Sequence, residues 1–280
     1  MSNYNQLRDI ALKFSPSSLK RLISQGVDEI KLNNITKENN MSVARWYEVA
    51  YKQLVDEYRS EYVYKNAIAE KIICGRHRLS SKCFYATEFR VRSSIADVLI
   101  ANGTTTAYEI KTEYDSFERL SGQLLDYAKV CDRIYVVIPS SKVNEWSIKV
   151  PSDIGILALT PNYTLQQLRE SGPHIDSLDL EALFSCFRRN EFINAIQNQF
   201  GFVPTCRPVE LKSQCKKLFL SLDKKQAHEE FLLALKSRQI KDEQVKLIKE
   251  APPALVSALL SVNLSLKEIS TLNQVLQEVI

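Results

Sequence analysis

Asp97, Glu109 and Lys111 set two carboxylates and an ammonium within fifteen residues. Asp97 stands in "SIADVLI", a lone carboxylate among Ile95, Ala96, Val98, Leu99 and Ile100. Runs of that composition form buried strands, where an unpaired carboxylate costs several kcal/mol. Downstream, "YEIKTEYD" (108–115) reads as a strand with Glu109, Lys111 and Glu113 on one face and Tyr108, Ile110 and Thr112 on the other. Two carboxylates on adjacent strands make a hard oxygen site suited to Mg²⁺ or Mn²⁺, and such a cation removes the cost of burying Asp97. The plain alternative is a charged face turned to water. The acid-x-Lys triplet is itself common, since Glu29-Ile-Lys31 and Asp223-Lys-Lys225 also occur. Only Glu109-Ile-Lys111 has an aspartate a dozen residues upstream in a second strand.

The secondary structure around these residues follows from pattern. A long helix is expected from Ser42 to Cys74, then strands over 83–92, 94–101 and 105–112. A further helix spans 115–130, capped by Asp115 with Glu118 completing a capping-box-like pair, and Phe117, Leu120, Leu124 and Ala128 form its apolar stripe. "RIYVVIP" (133–139) reads as a buried strand, and 154–160 as another. Residues 1–40 read as a polar helical extension in which "SPSSLKRLI" offers a Ser cap and a first-turn Pro, with a loop at "NNITKENN" (33–40). From about Thr164 onward the chain reads as helical, broken at "SGP", "GFVP" and "APP", without a chemical motif. The division is 1–40, a core over 41–162, and an all-helical region over 163–280 whose helices suit core packing, a protein partner or a second subunit.

Asn102-Gly103 signals a hairpin, and its geometry decides whether the acids meet. A two-residue loop pairing 101 with 104 sends Asp97 and Glu109 to opposite faces. A shared site needs a β-bulge or a three- or five-residue loop with 101 opposite 105. A three-residue loop with Gly103 or its neighbour in the left-handed region is expected.

A chain of 280 residues allows one large domain or two smaller ones, and its net charge of +4 argues for nothing by itself. No apolar run is long enough to span a membrane and the N-terminus lacks a secretory pattern, so a cytoplasmic location is expected. The six cysteines include no C-x-x-C, which reads as buried thiols, and His77, His174 and His228 share no metal-ligand spacing. Between Lys71 and Arg92 six basic residues, Arg90 among them, face one acid, Glu88. That stretch is either a solvated surface or a phosphate-facing patch.

Set in helix–strand–strand–strand–helix–strand order, Asp97, Glu109 and Lys111 resemble the PD-(D/E)XK nuclease superfamily over about residues 47–139, a third of the chain. Ala96 stands where the proline of that motif would be, at a position that is loose in the superfamily. In "QLLDY", Gln123 and Tyr127 lie one helical turn apart, similar to the Q-x-x-x-Y motif of RecB-like members, although the cysteine spacings do not support the iron–sulfur site some of them carry. Glu61 matches the extra acid often found on the first core helix; the alternative is an intrahelical Glu61–Lys65 ion pair.

The resemblance implies an α/β fold with a restriction-endonuclease-like αβββαβ core, of the kind found in bacterial and phage-associated members. It implies metal-dependent phosphodiester hydrolysis, with DNA the favoured substrate, in phage defence or nucleic-acid processing. Asp97, Glu109, the Ile110 carbonyl and Glu61 would hold Mg²⁺ or Mn²⁺. Lys111 would position or deprotonate water, and its removal is expected to spare folding. Gln123 and Tyr127 would hold the substrate backbone or the site's geometry, with Arg90 and Arg92 on phosphates. The competing reading is an inactive nuclease-fold module that binds nucleic acid or protein; a further one is a helical interaction protein whose α/β part is only a scaffold.

Overall fold

A six-stranded mixed sheet whose strands lie side by side in chain order organises the chain. The computed structural model describes residues 2–30, 40–80 and 82–280, so the loop read at 33–40 lies almost wholly outside the described residues. Strands β1 (Phe84–Val91), β2 (Ser94–Asn102) and β3 (Thr104–Ile110) form an antiparallel meander. Helix α5 (Leu120–Ala128) then carries the chain over to β4 (Arg133–Pro139), which runs parallel to β3. A short helix α6 (Val143–Trp146) leads to β5 (Gly155–Leu159), also parallel, and β6 (Leu165–Arg169) closes the edge antiparallel.

The expected helix over 42–74 is two helices and a widened turn. Helix α3 (Val43–Glu57) ends at Tyr58, and α4 (Glu61–Ile68) restarts after Ser60 and continues as a π-helical stretch, Ala69–Arg76. No Gly or Pro marks the break. Arg59 fixes it by donating to the carbonyls of Thr160 (2.8 Å) and Pro161 (2.7 Å), which ties the joint to the β5–β6 loop.

Helices α1 (Ser2–Leu12) and α2 (Pro16–Gln25) precede these, and Ser15 caps α2 by accepting from the Ser18 N–H with Pro16 in the first turn, as the sequence indicates. After the sheet come α7 (Leu180–Ser185), α8 (Arg189–Phe200), α9 (Leu211–Phe219), α10 (Lys224–Ser237), α11 (Asp242–Glu250), α12 (Val256–Ser261) and α13 (Leu266–Gln277). The region after 163 is therefore not all helical. Its first segment, "LQQLR", pairs with β5 and is largely exposed, because an edge strand can carry polar residues on both faces.

Two apolar cores sandwich the sheet. The first joins Val98, Ile100, Tyr108 and Ile110 to α1–α4 and α11–α13; the second joins Leu99, Ala101 and Ala107 to α5 and α7–α10. Leu120 and Leu124 of α5 are buried in the second core with Phe117 and Ala128 packed against it, so the stripe is as read. The expected cap is different: Asp115 accepts from the Thr112 N–H (2.9 Å) and hydroxyl (2.7 Å), closing a turn onto the strand end, and the helix starts five residues later at Leu120. Among the described residues no helix is long and apolar enough to cross a membrane.

Candidate functional site

The β2–β3 hairpin settles the geometry on which the acids depend. Ala101 pairs with Thr105 and Asn102 with Thr104, and Gly103 at the tip has φ +78°, in the left-handed region. This is the three-residue turn that puts positions 97 and 109 opposite each other. The last ladder pair is Val98↔Tyr108. One step beyond it, the Ile110 N–H donates to Asp97 Oδ2 (2.6 Å). The carboxylate of Asp97 thus takes over a backbone donor that the ladder no longer uses.

A second feature opens Asp97 to both sides of the sheet. Along β2, Val98 and Ile100 belong to the first core while Leu99, Ala101 and also Ala96 belong to the second, so alternation breaks at position 97. Its partner strand breaks at the matching place. Tyr85 faces the first core, Val91 the second, and between them Glu88 has φ +55°, a costly conformation for a side chain without local turn chemistry. Glu88 falls opposite Asp97 in the register, between Thr87↔Val98 and Phe89↔Ala96. Both strands therefore rotate at one point, and nothing in the sequence marks it.

From β3, Glu109 is buried (2 % exposed) and both its oxygens are engaged. Lys111 Nζ donates to Oε1 (2.9 Å) and the Tyr127 hydroxyl to Oε2 (2.6 Å). Lys111, also buried, reaches Gln123 Oε1 (3.2 Å), and Tyr127 OH lies 2.7 Å from the Ile95 carbonyl. Gln123 and Tyr127 thus hold the acid and the lysine. Burial, with Glu109 beside it, pushes the Tyr127 phenol well above its ordinary range.

Glu61 sits at the first turn of α4, its carboxylate 2.6 Å from Lys65 Nζ, and Glu88 lies 3.4 Å from the same nitrogen. The intrahelical pair is what forms. Glu61 still acts on Asp97 at a distance: burial first, then the charges of Glu109 and Glu61, raise the Asp97 carboxyl to about 8, against the opposing pull of the Ile110 N–H and Lys65. Burial lowers the Lys65 ammonium, but Glu61, Asp97 and Glu88 outweigh it and leave it raised. Lys65 is thus a member of the charge cluster that the sequence showed only as Glu61's partner.

Arg92 pairs with Asp179 (3.2 Å) and Asp126 (3.6 Å), and Arg90 is exposed. Cavities adjoin the cluster on both sides. Glu61, Lys65 and Glu88 line one of about 320 Å³, and Gln123, Arg119 and Ile95 line one of about 700 Å³. Among the described residues, no three His, Cys, Asp or Glu side chains group closely enough to hold a metal ion. The acids available together are the pair Asp97 and Glu109.

Residues 54–258 match the family of bacteriophage P4 protein cII. The chain belongs to that family. A similar protein, protein cII of Enterobacteria phage P4, is 37 % identical over 67 residues, which is 24 % of this chain and 25 % of that relative. The chain therefore aligns with about a quarter of that relative's length. A protein of unknown function from Silicibacter pomeroyi superposes with a TM-score of 0.33 at 15 % identity, covering 49 % of this chain and 88 % of that one.

Proposed function

We propose that this member of the P4 cII family is a divalent-cation-dependent nuclease with a PD-(D/E)XK-type, restriction-endonuclease-like site, acting on DNA in preference to RNA. The observation that carries the reading is Asp97, held opposite buried Glu109 and raised to about 8 by burial and by the neighbouring acids. A site that makes its own carboxylate this reluctant to ionise is one that a cation would relieve. A bound Mg²⁺ or Mn²⁺ would polarise a phosphate and lower the pKa of a bound water.

The chain's own residues do the rest. Tyr127 fixes the Glu109 carboxylate, Gln123 fixes Lys111, and Lys111 brings a positive charge to the place where charge would develop on a phosphate. Ile110 turns its N–H toward Asp97, and a strand residue points its carbonyl to the same side, in keeping with Ile110 as a third oxygen donor. Membership in a family named for a phage protein is in keeping with phage defence or nucleic-acid processing.

One observation favours a second reading. Both Glu109 oxygens are occupied by side chains and no three-acid group forms among the described residues, as in a nuclease-like fold retained as a nucleic-acid-binding or protein-interaction module. The decisive experiment incubates the protein with circular and linear DNA, single- and double-stranded, and with RNA, with Mg²⁺, Mn²⁺ or chelator. Cation-dependent cleavage that falls at least a hundredfold in Asp97→Asn is expected. Binding without cleavage under every condition would select the module.

A further inference from the structure

On the sheet face opposite Glu109, toward the hairpin end of β3, lies a polar cavity of about 340 Å³. That is within the size range of small-molecule sites, roughly 300–1,000 Å³. Its apolar wall is Ile100, Tyr108 and Leu157 of the first core. The Tyr108 and Tyr135 rings stack along it, with centroids 5.6 Å apart and planes 18° from parallel. Gly155 is what allows this: a Cβ there would stand 2.3 Å from the Tyr135 ring.

The polar wall is predominantly basic. Lys71, Arg76 and Arg133 line it with His77, against one acid, Glu170. Lys71, Arg76 and His77 come from the π-helical stretch and its end, and the chain leaves that stretch through Arg78 at φ +52°. Runs of π-helix are rare and recur at functional sites, because the widened turn re-aims side chains. Two of the cations have partners: Lys71 pairs with Glu70, and Arg133 with Asp132 (3.2 Å) and the Ser171 carbonyl (2.6 Å). Arg76 is exposed, and its side chain has no hydrogen bond or ion pair among the described residues. Asn102 and Gln167 add neutral donors and acceptors.

We propose that this cavity binds a nucleoside monophosphate, its phosphate on Arg76 with Lys71 and its base against the Tyr108–Tyr135 pair. A guanidinium without a partner among the described residues matches a phosphate dianion. Flat aromatic surface beside amide side chains suits a base, as in stacking platforms for single nucleotides. The site shares no residue with the Asp97–Glu109 cluster, so it stands whether or not that cluster cleaves nucleic acid.

His77 reports on it directly. Burial and the Arg76 charge hold its imidazole below the ordinary value of 6.5, and a phosphate placed beside Arg76 would raise it. The test follows the imidazole resonances of the full chain by NMR across pH, in chelator, with each common ribonucleoside monophosphate, adenosine and inorganic phosphate; His77→Asn assigns the reporter. A saturable rise of the His77 pKa with at least one monophosphate is expected. Arg76→Ala should weaken binding at least tenfold, and Tyr135→Leu should weaken the nucleotide but not phosphate. His174 and His228 serve as controls for folding. Equal affinity for adenosine, no gain of a nucleotide over phosphate, undiminished binding by Arg76→Ala, or no saturable shift would each overturn the assignment.

Discussion

Asp97 and Lys111 carry opposite structural costs, and each makes a distinct prediction. The Asp97 carboxyl rises from its ordinary 3.8 to about 8 in the folded chain. Between those values the folded state keeps a proton that the unfolded chain releases, so stability falls as pH rises through that window and levels off above it. Asp97→Asn, which can still accept from Ile110, should therefore be more stable than wild type at pH 8 in chelator, by at most about 5 kcal/mol for a rise of that size. The advantage should vanish near pH 4. Thermal melts across pH test this, and a constant offset between the two proteins would remove the proposed cause. Mn²⁺ should narrow the gap at pH 8 by stabilising wild type alone. Lys111 is the reverse case. The expectation that its removal spares folding fails on its burial against Glu109, because Lys111→Ala leaves a buried carboxylate without its cation. Such a loss costs roughly 3–5 kcal/mol. Denaturant melts of Lys111→Met with Glu109→Gln should recover most of it; because that double variant also removes a proposed cation ligand, it tests the stability of the pair and not the part of Lys111 in cleavage.

Elements set by local physics follow from the sequence, and those set by distant partners do not. The register requirement that places Asp97 and Glu109 together follows from strand parity alone, and the turn at Gly103 meets it. A Cβ at Gly103 would meet nothing within 4 Å, so only its φ of +78° penalises substitution. Gly103→Ala should accordingly cost about 1–2 kcal/mol in denaturant melts and leave the hairpin register unchanged. A cost near zero would show that the turn relaxes into another type. What was illegible depends on distant partners. The joint at 58–60 is fixed by carbonyls a hundred residues away, accepting from Arg59. The Thr112–Asp115 turn outcompetes the helix cap that the same aspartate advertises. The rotation at Glu88 and Asp97 is imposed on two strands at once by cores that lie on opposite faces, and no Gly announces it.

Across the whole molecule, the segment carrying the candidate site is not built to stand alone. Helix α4, which places Glu61 and Lys65, is held from the far end of the chain. Asn66, fully buried, donates to the Pro253 carbonyl (2.9 Å) and accepts from the Ser257 N–H (2.9 Å). The Tyr62 hydroxyl reaches the Ala254 carbonyl (2.7 Å), and the Tyr85 hydroxyl lies 2.7 Å from Ser257 Oγ. From the other end, α2 packs on α13, and buried Glu29 gathers Lys13, Ser18 and Arg21 around itself. Val43 N–H donates to the Glu278 carbonyl (2.9 Å), so the last helix seals the first core helix. A fragment of residues 41–162 would expose the apolar faces that α1, α2 and α11–α13 cover and would leave these buried polar groups unpaired. Each lost partner costs up to about 1–3 kcal/mol, which with the lost apolar burial is comparable to the 5–15 kcal/mol that typically separates folded from unfolded. We therefore expect the fragment to show no cooperative thermal transition by circular dichroism and no Mn²⁺-dependent stabilisation, whereas the full chain shows both. A fragment that melts cooperatively would mean that the sheet with α3–α5 folds without the terminal helices, and that these helices are an addition to the core.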